Sequence, residues 1–158
     1  MAQPQRPGGF SMTGLSTGSK ILIVGCLLLF VDLFFPWQGI DFGGLGDFLG
    51  DIPGASANIS GFNGLGVLVA ILAIVTIVWE VLLAAGVAIN MGTTSPALIG
   101  AVAGGLTAAF TIIAFLTKLT AIKWGAFVGL ILALVVAYGA YIRFQEGKLG
   151  GTAPPPAA

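Results

Sequence analysis

Four apolar runs constrain this chain more than anything else in it: Gly18–Phe35, Leu65–Val87, Ala97–Leu116 and Trp124–Ile142. A helix rising about 1.5 Å per residue needs roughly 20 apolar residues to cross a hydrocarbon core about 30 Å thick. Each run is close to that length. The first is slightly short, but Lys20 can snorkel from one end and Trp37 can sit at the opposite interface. A soluble helical bundle would need polar outer faces, which these runs lack. Only 8% of the 158 residues are charged and 57% are hydrophobic, against about 25% charged in soluble domains. The expected fold is therefore an all-α polytopic membrane protein: an antiparallel bundle of four transmembrane helices spanning residues 18–147.

The flanks read differently. Residues 1–17 and 148–158 are rich in Gly, Pro, Ser and Ala, have little to bury, and are expected to be disordered. A signal peptide is not favoured for the first span, because "PWQGIDFGG" follows it with no small-x-small cleavage pattern. Helices 2, 3 and 4 are joined by short loops (Ala88–Pro96 and Thr117–Lys123) and should pack as consecutive partners. The long loop Pro36–Gly64 carries "GIDFGGLGDFLGDI". Phe42, Leu45, Leu49 and Ile52 share one helical face there, which suits a short amphipathic helix on the outer membrane surface.

Four spans put both termini on one side. That side holds Arg6, Lys20, Arg143 and Lys148, and the other holds Lys118 and Lys123. The excess of bases places the termini in the cytoplasm and the acidic first loop, with Asp41, Asp47 and Asp51, outside.

Two acids interrupt the apolar runs. Asp32 precedes Trp37 by five residues, so it lies about 7 Å below the outer interface. Glu80 lies about 27 Å along helix 2 from Phe62, near the cytoplasmic end. The bases sort to match: Lys118 and Lys123 stand at the rim of Asp32, Arg143 and Lys20 at the rim of Glu80. A charge at the bilayer centre costs about 2.5–3.5 kcal/mol and usually faces the bundle interior with a partner. Two readings follow. Each acid is an interhelical pin, Asp32 with Lys118 or Lys123 and Glu80 with Arg143 or Lys20, or each belongs to an ion or substrate path. A path would carry polar groups through the middle layer, where only Thr76, Thr107 and Thr111 are available, and each can hydrogen-bond to its own helix.

Helix 3 carries Gly100, Gly104, Thr107 and Thr111 at alternating spacings of four and three, continued by Ala114 and Lys118. Helix 4 carries Gly125, Gly129, Ala133 and Ala137 at every fourth position. Such small-residue seams let helix backbones approach closely in lipid. They are expected to pack helix 3 on helix 4, with an oligomer contact as the alternative.

The layout resembles that of small four-span membrane proteins of unknown function from actinobacteria. The residues carrying the likeness are "FFPWQG" after the first span, "VWE" in the second and "AYGAYIRFQEG" closing the fourth. The resemblance covers most of residues 18–147 and implies a bacterial plasma membrane, with no activity to transfer. The chain differs from four-span proton-coupled multidrug exporters, which resemble one another in a first-span glutamate; here that span has Asp32 near its outer end.

Nothing in the chain resembles catalytic machinery. It has no histidine, no G-x-S-x-G and no phosphate loop, and Cys26 is alone. Asp41, Asp47 and Asp51 lack the calcium-loop spacing, and no basic stripe suggests nucleic acid. The sequence predicts a non-catalytic component, without cofactor or metal, whose partners are the lipid bilayer and either other membrane proteins or further copies of itself. The alternative is a small oligomeric transporter or channel using Asp32 or Glu80.

Overall fold

Ser16 opens the first helix. Its hydroxyl accepts the backbone N–H of Ser19 at 3.2 Å, satisfying one of the donors that every helix start leaves free. The computed structural model describes residues 15–41, 56–87 and 94–150. These form helix α1 (Thr17–Asp32), strands β1 (Pro36–Asp41) and β2 (Ser56–Ser60), and helices α2 (Leu65–Ala84), α3 (Pro96–Thr117) and α4 (Trp124–Gly150). The amphipathic segment expected around Phe42–Ile52 lies outside the described residues, as do residues 1–14 and 151–158 of the expected tails.

Three of the helices, α2, α3 and α4, are long and apolar enough to cross a membrane. Neighbouring helices pack in the order α1, α2, α3, α4, and α4 closes the ring against α1. Adjacent helices run antiparallel. The start of α1 and the end of α2 meet the end of α4 through Ser16, Glu80 and Arg143. At the other end, Gly129 near the start of α4 faces Asp32 at the end of α1.

The interior is small and the exterior large. Cys26, Ala73, Ala108, Ala133 and Ala140 are buried together with a few larger residues such as Leu22 and Val136. Outside, Val24, Leu28, Ile71, Val102, Ile131 and Leu134 are exposed, with Ile131 at 62%. Water would penalise such a surface at about 25 cal/mol per Å², so it belongs against lipid. This is a multi-pass membrane protein.

Two departures from the sequence reading concern the ends. The first loop begins and ends as a hairpin, not as coil: β1 and β2 pair antiparallel from Pro36↔Ser60 to Asp41↔Ser56. Pro36 has no N–H to continue a helix and disfavours helical backbone at Phe35 before it, so α1 stops at Asp32 and the chain extends. Pairing then satisfies backbone groups beside the apolar bundle, where water is scarce. The second departure is α4, which continues through Gly150 rather than ending near Ile142. Its last turns are held by bonds from Glu146 to the start of α1, so residues 148–150 belong to a helix rather than to the disordered tail. Thr17 likewise belongs to α1 and not to the N-terminal tail.

The pairing is irregular between Pro36 and Gln38, which leaves Trp37 as an extra residue in β1. A bulge re-aims its side chain, and Trp37 is wholly buried instead of lying at the interface. The other edge of β1 is also occupied. Gly39 N–H donates to Ala121 O and Lys123 N–H to Trp37 O, both at 3.0 Å, with a bridge from Gln38 to Ile122. The α3–α4 connection reaches these positions through Ala121, whose φ of 59° lies in the left-handed region.

Candidate functional site: two buried charged ends

At the end where α1 starts and α4 finishes, Glu80 is the organising group. It is completely buried, and Arg143 Nε donates to both its oxygens at 3.1 and 3.2 Å. Ser19 Oγ donates to Glu80 Oε2 at 2.6 Å, so the carboxylate is satisfied from α1 and α4 while standing on α2. Arg143 Nη1 also donates to Glu146 Oε2 at 3.1 Å and to Ser16 Oγ at 3.3 Å. Glu146 in turn accepts from Ser16 Oγ at 2.7 Å and from Gly18 N–H at 3.1 Å. A carboxylate on a helix N-terminus is favoured by the helix dipole, so Glu146 ties the end of α4 to the start of α1. The remaining helix, α3, enters through Gly100. A Cβ there would run into Glu80 Oε1, so only glycine lets α3 approach the carboxylate. Lys20, the alternative partner for Glu80, is exposed and makes no ion pair among the described residues.

At the hairpin end the expected pairing of Asp32 with Lys118 or Lys123 is not formed. Asp32, 2% exposed, receives Trp37 Nε1 on Oδ2 at 3.1 Å, and its Oδ1 has no partner among the described residues. Lys118, 7% exposed, places Nζ 5.6 Å from the centre of the Trp37 ring and likewise lacks a hydrogen-bond partner among the described residues. Burial pushes its ammonium below the usual lysine range. The indole engages both, its N–H on Asp32 and its face under Lys118. Lys123 instead lays its side chain across Gly39 of β1. Glu80 and Arg143 meet at one end of the bundle and Asp32 and Lys118 lie at the other, but counting along a helix carries no information about which way round it each group points.

Helices α3 and α4 pack on each other, and the seam glycines also make room for groups from α1, α2 and β1. A Cβ on Gly129 would meet the Trp37 ring, one on Gly61 would lie 2.8 Å from its Nε1, and one on Gly125 would lie 2.7 Å from Pro36 O and 3.2 Å from the indole. Three glycines therefore shape a slot for one indole. Gly104 makes room for Leu22 of α1, and Gly100 for Glu80. Ala133 is fully buried, and Ala137 packs beside the cluster of Leu22, Cys26 and Val136. Gly100, Gly104, Thr107, Thr111, Gly125, Gly129 and Ala133 are buried within the bundle, and Ala137 is half-buried.

Between the two charged ends the buried polar side chains are hydroxyls. Thr76 donates to Leu72 O at 2.8 Å, Thr107 to Ala103 O at 2.9 Å and Thr111 to Thr107 O at 2.7 Å. These three bonds stay within their own helices, while Thr76 Oγ1 also lies 3.3 Å from Thr107 Oγ1 and links α2 to α3. Among the described residues, no group of three His, Cys, Asp or Glu is placed to hold a metal.

Sequence reasoning missed Ser16, Ser19 and Glu146. The available signals were a Ser at the cap position before the first run and a glutamate three residues after Arg143. No family model, curated protein or solved structure matches the chain.

The orphaned ammonium gives a signed expectation. Lys118→Met should leave the thermal midpoint in detergent unchanged, or raise it by an equivalent of about 1 kcal/mol, since an unsatisfied buried donor is removed. Against that gain stands the cation–π attraction to Trp37, worth about 0.5–1 kcal/mol. A clear fall in midpoint would show that Nζ has a partner.

Proposed function

We propose that the protein is a non-catalytic accessory component of a bacterial plasma membrane, with four spans and both termini cytoplasmic, that binds other membrane proteins in the plane of the bilayer. The observation carrying this reading is the closed interior. Glu80 has both oxygens occupied by Arg143 and Ser19, and the mid-bundle threonines are engaged by carbonyls of their own helices and, for Thr76 and Thr107, by each other. An ion path needs polar groups free to exchange partners through that layer. With the inside committed to holding the bundle together, the surface left for function is the outside, together with the hairpin end.

The fourth span is α1. Its 16 residues reach about 24 Å, and the turn to Pro36 extends it. Val24, Leu27, Leu28 and Val31 are as exposed as the apolar faces of the other helices, which suits the same surroundings. The distribution of Lys and Arg favours cytoplasmic termini.

Purification in mild detergent followed by mass spectrometry tests the function. A stoichiometric membrane-protein partner is the expected result. Glu80→Gln should reduce assembly with that partner or detergent stability without abolishing any flux. A proton-dependent transport activity in proteoliposomes, lost in Glu80→Gln, would overturn the accessory reading in favour of a transporter.

A further inference from the structure

Between α1 and α4 the outer surface is indented by a groove of about 380 Å³. Val24 and Leu28 of α1 and Leu132 and Val135 of α4 wall it, and its floor is Gly25. A Cβ on Gly25 would lie 3.0 Å from Val136 Cγ2, so the two helices close tightly beneath the groove while their larger side chains stand up around it. The groove is apolar along its length and ends at Lys20, one turn into α1.

The charge at that end is uncompensated. Lys20 is exposed and has no ion pair among the described residues. The acids of the same rim are engaged elsewhere: Glu80 by Arg143 and Ser19, Glu146 by Arg143, Ser16 and Gly18. Lys148, also at this end, lies 4.5 Å from the centre of the Phe144 ring. A lysine stem can line apolar surface while its ammonium reaches the phosphate layer. We infer that this groove seats one acyl chain of an anionic phospholipid, whose phosphate is held by Lys20.

The inference rests on α1 lying in the bilayer, and the test separates the two. Protein in mild detergent is titrated with phosphatidylglycerol or phosphatidylcholine of matched chains, and retained lipid is counted by native mass spectrometry. Phosphatidylglycerol is expected to be retained about fivefold more strongly, the effect of one lysine near an anionic headgroup. Lys20→Gln should bring the ratio to about one, while Lys148→Gln leaves it unchanged. Val24→Trp, which fills the groove from its rim, should weaken retention of both lipids. Equal retention by the wild type, a preference surviving Lys20→Gln, or displacement by chain-free glycerol phosphate would overturn the groove. Val24→Cys in membranes, probed with an impermeant maleimide, should be protected. Full labelling there would overturn the α1 span and the groove together, whereas protection without lipid preference overturns the groove alone.

Discussion

Arg143→Met should lower the stability of the detergent-solubilised protein by about 3–5 kcal/mol, the usual cost of removing one partner from a buried ion pair. The reason lies in what is left behind. Glu80 is fully buried on α2, and Ser19 alone would then face a carboxylate that Arg143 had met with two contacts. The same change removes the guanidinium's bonds to Glu146 and Ser16, which leaves Glu146 held at the start of α1 by Ser16 and Gly18 alone. Glu80→Gln should cost less, because it leaves no buried anion and Arg143 keeps Glu146. The double variant Arg143→Met/Glu80→Gln should be milder than Arg143→Met alone, which a thermal-unfolding series in one detergent can resolve. If Arg143→Met proved no worse than Glu80→Gln, the carboxylate would not depend on the guanidinium.

Gly66→Ala is expected to be the most damaging single-methyl change, at about 3 kcal/mol, the upper end for overpacking. A Cβ at Gly66 would fall on the carbonyl oxygen of Gly61. No side chain can rotate away, because the obstacle is backbone. That backbone is itself tied down, with Gly61 N–H donating to Phe35 O at 3.2 Å. Gly105→Ala supplies the control. Nothing lies within 4 Å of its Cβ position, so alanine there should be neutral or stabilising by about 0.5–1 kcal/mol through helix propensity. The thermal midpoint should therefore fall for Gly66→Ala and hold or rise for Gly105→Ala. Equal shifts would mean that glycine content, rather than the Gly61–Gly66 approach, sets the effect.

What the sequence reveals about this protein is mostly axial. Run length gives the three long helices, and counting at about 1.5 Å per residue puts Glu80 and Arg143 at one rim and Asp32 and Lys118 at the other. Azimuth is another matter. Asp32 and Lys118 share a depth, but the bulge at Trp37 brings an indole into contact with both. Strand pairing between residues 36–41 and 56–60 is non-local, and "PWQGID" and "SANIS" carry little alternating pattern to announce it. Gly100, Gly104, Gly125 and Gly129 stand out by spacing, yet the spacing cannot say that their neighbours are Glu80, Leu22 and Trp37. Gly61 and Gly66 belong to no seam and are equally consequential. Helix α4 outruns its apolar stretch because Glu146 has partners on α1, and a hydropathy window cannot register that.

Strand β1 has no free edge: β2 borders one side, and the α3–α4 connection borders the other. The strand pair is thus tied to the α3–α4 connection and to the start of α4. Because the Trp37 indole meets both Asp32 and Lys118, any displacement of β1 at either border would be felt at those two charges together.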